Sequence, residues 1–367
     1  MLTRLEVPAP AAQPISRPRL RAGVVGLGRQ AVEDHLPALS LSHNAYLAAV
    51  CDTDPSKAAI AESYNVPFYD SVDLMLLEQE LDFAVVTAPH AAHLAIVESA
   101  INARVHVLKE KPFAISLDDA RRIARLALAA DVRVMTTLQR RFNPIYNAFE
   151  QLLPMIGRPY FIDAAYTTVV DEPHAGWRGR RVTAGGGCLL DMGYHLVDLL
   201  IWYFGLPDAV SAVTSASATE TIGEVEDTAS VQLMYRDGPH GMIVVSRRFP
   251  PKRERFIVLG TDGVLQVERG RLRRFNNSGA VTEELYRRFG WPSAFVSQVE
   301  YFCAVIRGER PNIGSPNHQL AHVATIESCY ESAVTGRFVA PASKLEVDDC
   351  VQTCTPWWRT DPGRQSK

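Results

Sequence analysis

Along the first third of the chain, short unbroken apolar runs alternate with segments whose apolar residues recur at helical spacing. The runs lie at 21–26, 46–51, 82–87, 105–108 and 132–137, and the helical segments at 31–41, 56–64, 93–102 and 117–130. Strands that are apolar at nearly every position and separated by helices predict a parallel sheet covered on both faces. After Gln139 the pattern changes. A strand is predicted over 160–168, a helix over 189–204 stopped by Gly205 and Pro207, and alternating polar and apolar positions from Ala209 onward. Segments 228–235 and 241–248 face each other across a turn containing Asp237 and Gly238, and 256–259 and 264–267 flank Gly260 to Gly263. Both are hairpin signals and predict a largely antiparallel sheet. Two further helices are expected over 294–307 and 318–335.

Composition narrows the class. With 47% hydrophobic and 22% charged residues the chain is ordinary globular protein, which excludes a wholly disordered one. The 38 basic and 41 acidic residues are interspersed, so the basic stripe that a general nucleic-acid binder needs is absent. No apolar stretch reaches the roughly 18–20 residues of a membrane span, and no membrane partner is expected. The six cysteines (Cys51, Cys188, Cys303, Cys329, Cys350 and Cys354) form no Cys-x-x-Cys pair and suggest a reduced, cytoplasmic setting. Residues 1–20, with Pro8, Pro10, Pro14 and Pro18 and no apolar core, read as a flexible tail rather than a signal peptide, and 351–367 as a second tail.

The first candidate chemistry is a dinucleotide site. Gly26, Gly28 and Ala31 fit G-x-G-x-x-G/A directly between the first apolar run and the first helix. Gly26 allows a tight turn, Gly28 lets backbone amides approach a pyrophosphate, and small Ala31 permits close helix–strand packing. Arg29 and Gln30 complete the loop. The second run ends at Asp52, an acidic residue placed to accept hydrogen bonds from a ribose and to repel a 2′-phosphate. No arginine follows at 53 or 54, so NAD is expected over NADP. The plainer alternative is a turn-and-cap glycine pair in a non-binding α/β domain.

Two later segments add a constellation: Lys109-Glu110-Lys111-Pro112-Phe113 after the 105–108 run, and Gly185-Gly186-Gly187 followed by Asp191, Gly193, His195 and Asp198. With Gly26 and Gly28 they resemble the Gfo/Idh/MocA family of sugar and cyclitol oxidoreductases, over about residues 21–347. Thr87-Ala88-Pro89 followed by His93, Glu226-Asp227-Thr228, and Gly260 to Gly263 are supporting echoes. The resemblance implies an α/β N-terminal Rossmann domain (21–138) and an α+β substrate-binding and oligomerisation domain (139–350) with a large, mostly antiparallel open sheet. It implies catalytic Lys111, Asp191 and His195. It also implies a cofactor site of Gly26, Gly28, Arg29, Gln30, Asp52, Thr87, Pro89, His93, Glu110 and Lys111. Substrate would meet Lys111, Arg141, Trp177, Arg178, Asp191 and His195.

The residues' own chemistry agrees with that assignment. Oxidising a secondary alcohol requires loss of a hydroxyl proton as hydride leaves carbon, and a histidine suits that task near neutral pH. Lys111 can stabilise charge developing on the same oxygen. Asp191 and His195, four apart, share a face if the segment is α-helical. The three glycines before them suggest a backbone that a ligand approaches closely. Taken singly, each has a blander reading: a solvated lysine, an N-cap aspartate, a core histidine. His90 with His93, and His318 with His322, lack the company that a metal site needs, so no metal is expected. Arg104 stands where the resemblance expects glycine, and Lys109 where it expects an apolar residue at the edge of the pocket. The function expected is interconversion of a secondary hydroxyl and a ketone on a polyol, sugar or sugar nucleotide, by a homodimer or homotetramer. The alternatives are a non-catalytic dinucleotide- and sugar-binding regulator, or a glycosidase that works through transient NAD oxidation.

Overall fold

The computed structural model describes residues 18–216, 224–286, 291–346 and 349. The chain divides into two compact units, one holding residues up to Phe142 together with those from 291 to 319, the other holding 143–286 and the residues from Leu320 onward.

The first unit is built on six strands: β1 (Leu20–Val25), β2 (Ala45–Cys51), β3 (Phe68–Tyr69), β4 (Phe83–Val86), β5 (His106–Lys109) and β6 (Val134–Thr136). Their order is β3-β2-β1-β4-β5-β6 and every neighbouring pair is parallel. This is the doubly wound arrangement, in which the chain reverses its direction of winding between β1 and β4 and ligands bind beyond the carboxyl ends of the strands. All four side chains of β4 are buried, as an apolar run between two helical layers requires. Helix Leu117–Ala130 matches its predicted span because Ser116 caps its first turn, accepting from Asp119 N, and Asp131 ends it in the left-handed conformation at φ +51°. Strand β3 and helix Val72–Glu78 are additions that the apolar pattern did not announce.

Helix Trp291–Ile306 belongs to this first unit, so the chain does not divide as the simple 139–350 block expected. Its Phe295, Val299 and Phe302 are buried in one cluster with Val24, Leu36, Phe83 and Val85. The Phe83 and Phe302 rings meet edge to face at 5.5 Å. β1 also begins at Leu20, inside the expected N-terminal tail; residues 1–17 of that tail, the expected tail 351–367, and Cys350 lie outside the described residues, and Cys354 with them.

Among the described residues the second unit carries eight strands: β7 (Pro159–Val169), β8 (Ala209–Ser215), β9 (Thr228–Met234), β10 (His240–Ser246), β11 (Arg248–Gly260), β12 (Gly263–Glu268), β13 (Arg271–Phe275) and β14 (Val281–Tyr286). Their order is β14-β13-β12-β11-β7-β10-β9-β8, antiparallel throughout except for β7 against β10. Both predicted hairpins form. The register sorts the two faces cleanly. Val231, Ile243, Ala164, Phe256, Val267 and Leu272 lie in one cross-strand row and all are buried. Beside them Gln232, Met242, Asp163, Ile257, Gln266 and Arg273 form a row in which none is buried. The covered face packs on helix Tyr194–Phe204, where Phe149 stacks on Tyr203 at 5.0 Å and meets Phe256 edge to face at 5.5 Å.

Candidate active site

In the first unit the site begins where β1 ends. Gly26 has φ +90°, and a Cβ there would fall 2.6 Å from the Ala88 nitrogen, so only glycine lets this turn pass the end of β4. A Cβ on Gly28 would meet nothing within 4 Å, so the space over that backbone is open. That opening, at the start of a helical segment, is the cradle a dinucleotide pyrophosphate requires, and the residues present fit one. The helix opens with a π-helical turn, Ala31–His35, and continues as an α-helix over Leu36–Leu41. Arg29 is exposed and pairs with Glu33 at 3.7 Å, while Gln30 Nε2 donates to Asp34 at 2.5 Å. Asp52 accepts from Leu27 N at 2.6 Å and from Asp54 N at 2.9 Å, so its carboxylate braces the glycine turn. Thr87 Oγ1 donates to Gly26 O at 2.5 Å, and Pro89 beyond it is exposed.

The loop after β5 is held from beneath. Lys109 is wholly buried, and its ammonium donates to the carbonyls of Glu110 at 3.1 Å, Pro112 at 2.7 Å and Phe113 at 2.8 Å. Burial pushes its pKa down to about 7, against the pull of Glu110. Lys109 is therefore an internal brace and not an altered pocket edge. Glu110 is buried as well. Its Oε1 takes Nε2 of His35 at 2.9 Å and Nε2 of Gln139 at 3.3 Å, and its Oε2 takes the Lys111 amide at 3.2 Å. Burial raises the Glu110 pKa, but His35, the charge of Lys111 and the hydrogen bond of Thr137 together outweigh it and hold the carboxyl below its usual range. His35, which sequence reasoning missed, thus links the π-turn after the glycine loop to the lysine loop. The Lys111–Pro112 peptide is cis. His93 is buried, with Nε2 at 2.8 Å from Ala88 O; a carbonyl only accepts, so Nε2 carries the proton. Burial, with Lys109 and His90 nearby, holds its pKa well below the ordinary imidazole value. Arg141 reaches the Ile313 carbonyl at 3.3 Å from the turn Gln139–Phe142.

In the second unit the glycine run leads into a π-helical turn, Leu189–Gly193, followed by helix Tyr194–Phe204. Asp191 lies in the π-turn and His195 in the first turn of the helix, so their spacing is not that of a single regular α-helix. Through residues 186–201 every position is buried except Asp191 and His195. Asp191 Oδ2 accepts from Nη2 of the buried Arg247 at 2.8 Å, with Nε of Arg178 at 3.8 Å. Arg178 lies over the Trp177 ring at 4.3 Å. Tyr166 of β7 faces His195, their ring centroids 6.2 Å apart. Arg247 and Tyr166 carry no motif, and only the fold brings them here. The expectation that a ligand approaches the three glycines needs correction at Gly186 and Gly187. A Cβ on Gly186 would fall 2.1 Å from the Tyr330 hydroxyl, and one on Gly187 would fall 1.8 Å from the Glu226 carbonyl oxygen. The chain's own side chain and backbone occupy that space.

His322 pairs with Asp198 at 2.9 Å in the core and His318 meets Ser315 at 2.8 Å, so both histidines have structural partners. Among the described residues no cluster of three or more His, Cys, Asp or Glu side chains is placed to hold a metal ion. Among them, too, no helix is long and apolar enough to cross a membrane.

Comparison with known proteins agrees with this geometry. Residues 20–138 match the oxidoreductase family with an NAD-binding Rossmann fold, and residues 154–266 match the GFO/IDH/MocA C-terminal domain. The chain is 26% identical to a D-apiose dehydrogenase of Paraburkholderia graminis over 92% of this chain and 93% of that one. It is 27% identical to D-xylose 1-dehydrogenase (NADP(+)) 2 of Haloferax volcanii over 86% and 98%. The crystal structure of the WlbA dehydrogenase from Bordetella pertussis in complex with NADH and UDP-GlcNAcA superposes with a TM-score of 0.76, at 26% identity, over 90% of this chain and 100% of that one. With its doubly wound cofactor unit and its open-sheet second unit, the chain belongs to the Gfo/Idh/MocA family and is an NAD-binding oxidoreductase.

Proposed function

We propose that the protein interconverts a secondary hydroxyl and a ketone on a sugar, sugar derivative or cyclitol. The observation that carries this reading is the pair Asp191 and His195, the sole positions to reach the surface in an otherwise buried segment of sixteen residues, 186–201. The names of the relatives, dehydrogenases of D-apiose and D-xylose, support a sugar as substrate. NAD, when bound, supplies the hydride acceptor. In the oxidative direction a ring nitrogen of His195 takes the hydroxyl proton while Lys111 Nζ hydrogen-bonds the same oxygen and stabilises its negative charge. Asp191, held by Arg247, receives a further substrate hydroxyl, and Arg178 with Trp177 offers a cationic and a flat apolar surface. Arg141 completes the substrate contacts. Arg29, Gln30, Thr87 and Pro89 line the cofactor side, and the buried His93 supports it through the Ala88 carbonyl. Reduction reverses each step.

NAD is the cofactor proposed over NADP, because Asp52 directly follows β2 and no basic residue stands at 53 or 54. The four described cysteines are free and buried, which suits a reducing cytoplasm.

The test is titration of the purified protein with NADH and NADPH by fluorescence, then a screen of sugars, cyclitols and keto-sugars at the reduced-nicotinamide absorbance. NADH is expected to bind more tightly. Gly28→Ala should fold normally, having no atom to strike, yet lose binding. Lys111→Ala and His195→Ala should each lower kcat by about 10²–10⁴. Binding without turnover of any member of the panel points to the regulator reading, and binding of neither cofactor sinks the assignment.

A further inference from the structure

The second unit contains a carboxylate that the proposed mechanism leaves unused. Glu226 is 7% exposed and sits just before β9, far in sequence from the segment it touches. Its Oε1 accepts from Leu189 N at 2.9 Å, Gly187 N at 3.1 Å and the Tyr330 hydroxyl at 2.9 Å, and its Oε2 accepts from Gly187 N at 3.0 Å. The Glu226 carbonyl takes Cys188 N at 3.0 Å. Three successive amides, those of residues 187, 188 and 189, therefore end on one residue.

Amides at the start of a helical segment have no partner within the helix, and a carboxylate there both satisfies them and complements the positive end of the backbone dipole. Serine, threonine or aspartate in the preceding turn usually does this. Here that turn is glycine and cysteine, the segment's own N-terminal side chains make no capping hydrogen bond, and a side chain from another element takes over. The cost is written in the sequence: Gly186 and Gly187 are glycine because Tyr330 and Glu226 lie where a Cβ would be. Four residues after Gly187 the same segment presents Asp191, and four further on His195.

We propose that Glu226 is a positioning residue for the reaction: by binding the amides of Gly187 and Leu189 it fixes the height and rotation at which Asp191 and His195 are presented. Tyr330 is its partner, with a phenol held well above the ordinary value by burial and by Glu226, and so remains a hydrogen-bond donor. The proposal rests on the catalytic reading of Asp191 and His195, but its geometry can be tested apart from turnover.

The experiment compares wild type with Glu226→Ala, Glu226→Gln and Tyr330→Phe by amide hydrogen exchange of peptides spanning 186–195. NADH titration serves as a control for folding of the first unit, and steady-state kinetics use the best sugar from the screen. A hydrogen bond to a charged group is worth about 10-fold or more in an equilibrium. Glu226→Ala should therefore raise exchange across 186–195 by about 10-fold and lower kcat by a similar factor, with the sugar KM changed less than about threefold. Glu226→Gln keeps one oxygen acceptor and should recover part of both losses. Unchanged exchange in Glu226→Ala, or a loss confined to KM, overturns the proposal. If Glu226→Ala fails to fold, Tyr330→Phe decides, since it withdraws one donor and little volume: wild-type exchange and wild-type kcat there also overturn it. If the wild type turns over nothing, the functional reading has failed, and the exchange result alone decides whether Glu226 fixes the segment.

Discussion

Lys109 sits at the end of β5 with no exposed surface and three carbonyls around its ammonium. Its proton affinity falls from an ordinary 10.5 to about 7. Between those values the unfolded chain binds the extra proton, so stability from this residue is least below about pH 7, rises toward 10.5 and then levels off. His93 adds the same sign lower down: held well below its ordinary 6.5, it costs stability as pH falls through that value. Urea midpoints of wild type and Lys109→Met at about pH 6.5, 8 and 9.5 check this, because the other groups cancel in the difference. The wild type should gain on the variant as pH rises; a constant difference would show that the folded lysine keeps its proton. Sequence alone identified this lysine as an oddity and placed it at the pocket edge. Only the depth of β5 in the sheet shows that it is structural.

Elements were legible where one physical signal dominated. The central strands of the first unit and the capped helix Leu117–Ala130 stand out because burial on both faces demands unbroken apolar runs and because Ser116 and Asp131 mark the ends. Strands β13 and β14 did not stand out. Their sequences are rich in charge, and they are held by cross-strand pairs such as Arg271 with Glu284 at 2.6 Å, which no periodicity reports. Arg104 is a subtler case. It adopts φ +62°, as the expected glycine would, so the turn survives the substitution. The catalytic candidates were legible as motifs, whereas Arg247, Tyr166 and His35 reach their places through pairings across the fold; Glu226 stands in a motif, but its hold on Gly187 and Leu189 shows only in the fold. The largest misreading concerns helix Trp291–Ile306. Its apolar stripe was recognised, but a stripe does not name what covers it. Phe302→Ala should destabilise the first unit by about 3–5 kcal/mol, since the ring is fully buried against Phe83. Thermal unfolding with and without NADH would show whether cofactor binding goes with it.

For the whole molecule, the open row of the eight-stranded sheet, from Gln232 through Met242 and Ile257 to Arg273, is a broad face of mixed character. We propose that it pairs with the same face of a second copy in a homodimer or homotetramer, since an antiparallel sheet with one covered face has the other to offer. Met242→Asp places a charge in the middle of that row. It should convert the assembly to monomers by light scattering while NADH binding persists; an unchanged mass would exclude this face.

The return of residues 291–306 to the first core also bears on how the protein is made. A ribosome releases the first 142 residues with the glycine turn, Asp52 and the lysine loop already in place, but without Phe295, Val299 and Phe302. At about 5–20 residues per second, roughly 10–30 s pass before those rings emerge. Through that interval the nascent cofactor unit lacks the cover those rings give Leu36 and Phe83, and its core closes only after the residues through Phe302 have been translated.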